Sequence, residues 1–183
     1  MKRILIAVAF VMLLGALALQ AQDPAPKPGP EQKKLEVWVG NWTLVGEQKA
    51  SPAGPASKYT GKPTWQMILG GFVLEGRFAS KSESGDTQGI QILAYDAANK
   101  NYTFAAYFSD GGMGHGTVTI SGNTWSWKGS VIAGGKHYQI RGTDILSADL
   151  MSDIYTAEIS ADGKTWLTWV EEKLTRIKAT PKK

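Results

Sequence analysis

Cysteine is absent from the whole 183-residue chain. That excludes disulfides, a cysteine nucleophile, thiolate metal sites and a lipid carried on a cysteine behind an export leader. The folded part must therefore hold together by packing alone. Histidine is nearly absent too: His115 and His137 are the only two, far apart and without ligand spacing. Asp110 could approach His115 across a bend in "SDGGMGHG", but a plain turn histidine is the expectation, and neither metal nor cofactor is expected. An excess of one charge is also lacking. The formal net charge is +4, and Lys2 and Arg3 contribute to it from the very start of the chain. The one other basic cluster, Arg176, Lys178, Lys182 and Lys183, reads as a solvated tail, so no nucleic-acid partner is expected. No Gly-x-Ser-x-Gly elbow occurs, and "SDGGMGHG" lacks the Lys-Ser/Thr ending of a phosphate loop. Glu171 and Glu172 alternate across a predicted strand and cannot act together. No catalytic residue is expected.

Long apolar runs occur only at the beginning. Met1-Lys2-Arg3 supplies a positive start, and Ile4 to Leu19 is apolar, with Ala16-Leu17-Ala18 and Ala21 as cleavage sites. This reads as a secretory signal peptide over residues 1–21. It predicts a periplasmic or secreted protein with no membrane span after cleavage, since the run is shorter than the roughly 20 residues a span needs. Residues 22–30, with "DPAPKPGP", read as an extended proline-rich tether. Residues 31–183 then form one domain of ordinary size.

Helical periodicity is scarce within that domain. Glu31 to Val39 reads as a short helix with Leu35, Trp38 and Val39 on one face, stopped by Gly40. Everything after it alternates strand and turn. Strands are predicted at 41–48, 59–69, 72–80, 87–95, 102–109, 116–120, 124–129, 136–146, 150–159 and 165–177, with Gly-Gly, Gly-Asn and Asp-Gly at several junctions. Short links force antiparallel pairing, and an uncovered meander this long closes into an up-and-down barrel. A two-sheet sandwich is the competing arrangement. Period-two faces run through Phe72, Leu74, Gly76 and Phe78, through Tyr102, Phe104, Ala106 and Phe108, through Trp125 and Trp127, and through Trp166, Thr168 and Val170.

Four stretches carry a resemblance: "GPEQKKLEVWVGNWTLVGE", "LGGFVLEGRF", "ILAYDAANKNYTFAAYFSDGGM" and "SADGKTWLTWVEEKLTR". The chain resembles, over its whole mature length, the uncharacterised secreted bacterial family 1579 among the domains of unknown function. That resemblance implies a lipocalin-like, calycin-type β-barrel and no particular activity. Gly40-Asn41-Trp42 is similar to the Gly-x-Trp that opens the first strand of lipocalins, which implies a structural role for Gly40 and Trp42 in closing the barrel. A looser likeness to the haem-binding barrel nitrobindin fails at its late histidine, because Leu150 to Ile177 contains none.

Function is expected to rest on the lumen. After the leader only three arginines remain, Arg77, Arg141 and Arg176, and the first two fall in mid-strand. A buried guanidinium needs a partner. Alternation puts Glu75 beside Arg77, and Gln139 and His137 beside Arg141. Facing inward, Arg77, Glu75, Arg141 and Gln139, with Tyr107 as a further candidate, would grip a ligand carboxylate. Facing outward, they would be ordinary cross-strand pairs. The expected partner is a small apolar or amphipathic ligand. The alternatives are a filled structural barrel and an isomerase- or cyclase-like enzyme.

Overall fold

A computed structural model describes residues 26–178; the predicted signal peptide lies outside the described residues. Pro30 opens a single helical turn, α1 (Pro30–Lys34), where its missing N–H costs nothing. Gln32 Oε1 accepts from the Gly29 backbone at 3.0 Å and fixes the entry. The predicted longer helix instead tightens into a 3-10 turn over Leu35–Trp38, a common ending for a short helix. The tightening turns both Leu35 and Trp38 into the core.

Eleven strands follow: β1 (Gly40–Gln48), β2 (Ser57–Gly61), β3 (Thr64–Ile68), β4 (Val73–Ser82), β5 (Gly85–Asp96), β6 (Asn101–Phe108), β7 (Met113–Ser121), β8 (Thr124–Ala133), β9 (Lys136–Leu146), β10 (Ser152–Ser160) and β11 (Leu167–Arg176). From β4 to β11 each strand pairs antiparallel with the next, and β11 then pairs with β1 from Trp42↔Arg176 to Gln48↔Val170. That last ladder decides for a barrel over a sandwich. The strand predicted at 59–69 is broken. Pro63 has no N–H to donate, and the chain jogs there, with Pro63 O accepting from Trp42 N at 2.9 Å. So β2 and β3 together fill one position between β1 and β4, and the closed barrel has ten positions.

Other differences from expectation concern strand boundaries and register. Strand β7 begins at Met113, so His115 lies on a strand rather than in a turn. Strand β8 runs on to Ala133. At the β10–β11 ladder the register shifts: Ala157 faces Val170, whereas Glu158 faces Thr168. This bulge leaves Trp169 extra, turns Trp169 and Val170 both toward the interior, and breaks the predicted common face of Trp166, Thr168 and Val170.

One end of the barrel is closed by tryptophan. Trp38 packs on Trp42, Trp65 and Trp125 with ring centroids 5.6 to 5.8 Å apart. Trp42 is 0% exposed, and its indole N–H donates to Trp38 O at 2.9 Å. Arg176, expected in a solvated tail, is instead the latch of this end. Its guanidinium stacks 4.2 Å from the Trp42 ring, and it donates to Val39 O at 2.5 Å, to Val37 O, and to Leu150 O at 3.0 Å. Those carbonyls include ones that the 3-10 turn leaves unsatisfied. Gly40 is required here twice over. Its φ of +135° suits glycine, and an added Cβ would lie 3.0 Å from the Arg176 guanidinium.

Replacing Arg176 with alanine removes three charge-assisted hydrogen bonds and a cation–π contact. Urea unfolding should show a loss of roughly 3 kcal/mol, with lysine restoring only part of it. An unchanged midpoint would show that the latch does not hold the end shut.

Candidate functional site: an acid-walled lumen

Above the tryptophan floor the barrel is hollow. The lumen holds about 620 Å³, within the range of about 300–1,000 Å³ typical of small-molecule sites. Aromatic rings line much of it: Trp38, Trp65, Phe78, Phe104, Trp127 and Trp169. Small residues keep it open on the far wall, where Gly114 would meet nothing closer than 3.6 Å if given a Cβ. It leads toward the end that carries the 49–56 loop and the turns at 83–84, 109–112 and 134–135.

The polar side of the lumen is one band across β9, β10, β11 and β2. Asp144, Tyr155 and Glu172 are consecutive partners across two ladders; Gly46 on β1 is next to Glu172, and Tyr59 next to Gly46. Glycines make room for the two phenol rings. A Cβ at Gly46 would fall 2.6 Å from the Tyr59 ring, and one at Gly142 would fall 3.0 Å from Tyr155. Tyr59 Oη donates to Glu172 Oε1 at 2.6 Å. The Trp127 indole N–H donates to Asp144 Oδ2. One level nearer the floor, Asp153 is 0% exposed, and no basic or hydroxyl side chain donates to it. Its carboxyl lies within hydrogen-bonding reach of that of Asp144.

Burial governs the protonation of this band. It raises Asp144 well above the usual carboxylate range, and the charge of Asp153 beside it adds to the effect. The two acids therefore share a proton held by Asp144. Burial raises Asp153 to about 6, against hydrogen bonding that pulls the other way. It raises Glu172 to about 7, opposed by the Tyr59 hydrogen bond and assisted by the charge of Asp153. Tyr59 and Tyr155 are both pushed upward, chiefly by burial.

The sequence-derived candidates are elsewhere. Arg77 and Arg141 lie on the outer face, where water solvates a guanidinium at no desolvation cost. Arg77 Nε bonds Glu75 at 2.7 Å, and Arg141 Nε bonds Glu158 at 2.6 Å. Arg141 also stacks 4.3 Å from Trp166. Gln139 and His137 are exposed on that same strand. Tyr107 is 57% exposed and sits outside beside Ile90 and Met113. None of these five candidates lines the lumen. His115 is exposed and bonds Ser130 Oγ at 3.2 Å, while Asp110 caps Gly112 N at 2.8 Å. The described residues contain no group of three or more acidic, histidine or cysteine side chains placed to hold a metal. Mid-strand basic residues do not point to the buried acids. Their signal was present: each sits in phase with an apolar face, Asp144 with Ile140 and Leu146, Asp153 with Ala157 and Ile159, Glu172 with Val170 and Leu174.

The chain matches the family described as protein of unknown function (DUF1579) over residues 27–176. It belongs to that family. Among solved structures, it is similar to Rv2717c from M. tuberculosis, at 14% identity and a TM-score of 0.59, with 82% of this chain and 99% of that one covered. The S-type phycobiliprotein lyase CPES from Guillardia theta is similar at 12% identity and a TM-score of 0.55, covering 82% and 94%. At such identities the likeness concerns the fold alone, a lipocalin-like barrel. No curated protein matches the sequence.

The raised value of Glu172 fixes the sign of a pH effect. Below the usual 4.5 both folded and unfolded chains carry its proton, and its contribution to stability is complete. Between 4.5 and about 7 only the folded chain keeps that proton, so stability falls as pH rises, by on the order of 3 kcal/mol. Glu172→Gln removes the titration and should flatten the profile of unfolding free energy across that window, leaving the variant more stable than the parent at pH 8. Parallel profiles for the two proteins would contradict the assignment.

Proposed function

We propose that the protein binds a small apolar or amphipathic molecule inside the barrel. The observation that carries this is the 620 Å³ lumen, with aromatic walls and a polar band on one side. A barrel serving only as a structural or interaction module would gain stability by filling that space with side chains, because interiors pack densely. Glycine and alanine instead occupy inner positions at Gly114 and Ala106, where larger residues have room to project. A second reading, a proton-transfer enzyme, draws support only from the raised values of Asp144, Asp153 and Glu172. Export to the periplasm or beyond is part of the proposal. The basic start and the apolar run from Ile4 to Leu19 support it, and the mass of the mature chain reads it through the loss of residues 1–21. Among the described residues no helix is long and apolar enough to cross a membrane.

Titration with the neutral probe N-phenyl-1-naphthylamine, read by energy transfer from tryptophan, tests luminal binding. One probe should bind per chain, and Gly114→Phe, which projects a ring into the lumen, should weaken binding by about tenfold or more. A probe bound as tightly by the variant as by the parent would place it outside the barrel and remove the main support for the reading.

A further inference from the structure

The charge inside the lumen has one sign. Glu172 and Asp144 line it, Asp153 stands directly behind Asp144, and no lysine, arginine or histidine is among the lining residues. Two of these acids have hydrogen-bond donors from the protein, Tyr59 for Glu172 and Trp127 for Asp144. Asp153, although wholly buried, has no side-chain donor beyond the proton it shares with Asp144. A buried cluster of acids kept for structure alone would be given a cation, because unpaired buried charge is costly. The three acids therefore form a site short of positive charge.

From this arrangement we infer that the luminal ligand is an apolar molecule bearing a protonated amine, with its nitrogen seated between Glu172 and Asp144. This deepens the luminal-binding reading and rests on it. A fatty acid or other anion would bring a fourth negative group to a wall that already cannot ionise fully. A neutral alcohol would offer one donor. An ammonium offers three donors and the missing charge, and the rings of Tyr59, Tyr155 and Trp127 beside the acids add cation–π attraction. A metal ion is a poorer occupant, since these oxygens do not converge into a cage among the described residues.

Binding of a cation also settles the protonation of the band. The groups around the seat are Asp144 from β9 with Asp153 of β10 behind it, Tyr155 from β10, Glu172 from β11 and Tyr59 from β2; β1 contributes only Leu44 and Gly46 there, and β8 contributes the Trp127 indole. The amine favours the ionised form of the acids, so they release protons as it enters. Its affinity therefore rises with pH through the range in which Asp153 and Glu172 titrate, about 6 to about 7.

The test compares three twelve-carbon probes below their micelle concentrations: dodecylamine, 1-dodecanol and dodecanoate, each displacing N-phenyl-1-naphthylamine from the intact protein. At pH 8 dodecylamine should bind about tenfold or more tighter than dodecanol, with dodecanoate weakest. The gap between amine and alcohol should shrink at pH 5. Glu172→Gln, which keeps a partner for Tyr59, should narrow that gap to within about threefold at pH 8, and Asp153→Asn should narrow it independently. Equal binding of amine and alcohol, or tightest binding of dodecanoate, would overturn the headgroup assignment while leaving luminal binding in place. A gap untouched by both substitutions would also overturn it. If no compound enters the lumen, the naphthylamine included, the luminal reading itself fails and takes this inference with it.

Discussion

Closure of β1 onto β11 is the constraint on which the rest depends. Without that ladder the sheet would have two long open edges, a hazard that sheets must cover or remove. With it, the inner faces of ten strand positions enclose a space instead of packing against a second layer. The ladder starts at the pair Trp42 and Arg176, where stacking and carbonyl hydrogen bonds tie β1 and β11 to the 3-10 turn. It continues to Gly46 and Glu172, so the interaction that shuts the barrel also brings an acid into its interior. Architecture and chemistry share one pair of strands.

The closed end and the open lumen are built by opposite means. At the floor, four buried tryptophans pack on one another. Higher up, glycines at 46 and 142 let tyrosine rings lie flat along the wall, and glycine at 114 leaves the opposite wall bare. Burying three acids in this space is unfavourable for folding, and burial raises Asp153 and Glu172 for the same reason. Stability sacrificed at one place in a well-packed domain points to a function served there.

Much of the fold was legible because two-residue periodicity and turn chemistry are local. The strand at 136–146 matches β9 residue for residue. Errors arose where a local rule met a long-range one. Pro63 splits a strand whose pattern reads as continuous, and the bulge at Trp169 resets the alternation in the last strand. The site was less legible than the fold. Periodicity says which residues share a face but not which face is inside, and mid-strand charge singles out Arg77 and Arg141. Solvation decided the matter: the cations stayed in water with Glu75 and Glu158 as partners, and the acids went in. Asp144, Asp153 and Glu172 were each in phase with apolar neighbours, so the pattern was there to be read on three separate strands.

The most direct measurement is native mass spectrometry of the protein isolated without detergent from the cells that make it. A ligand-binding lumen predicts a one-to-one adduct that leaves when the barrel is unfolded, and a basic nitrogen in the released molecule. A folded protein carrying only its own mass, under conditions that preserve other barrel–ligand complexes, would contradict the proposal.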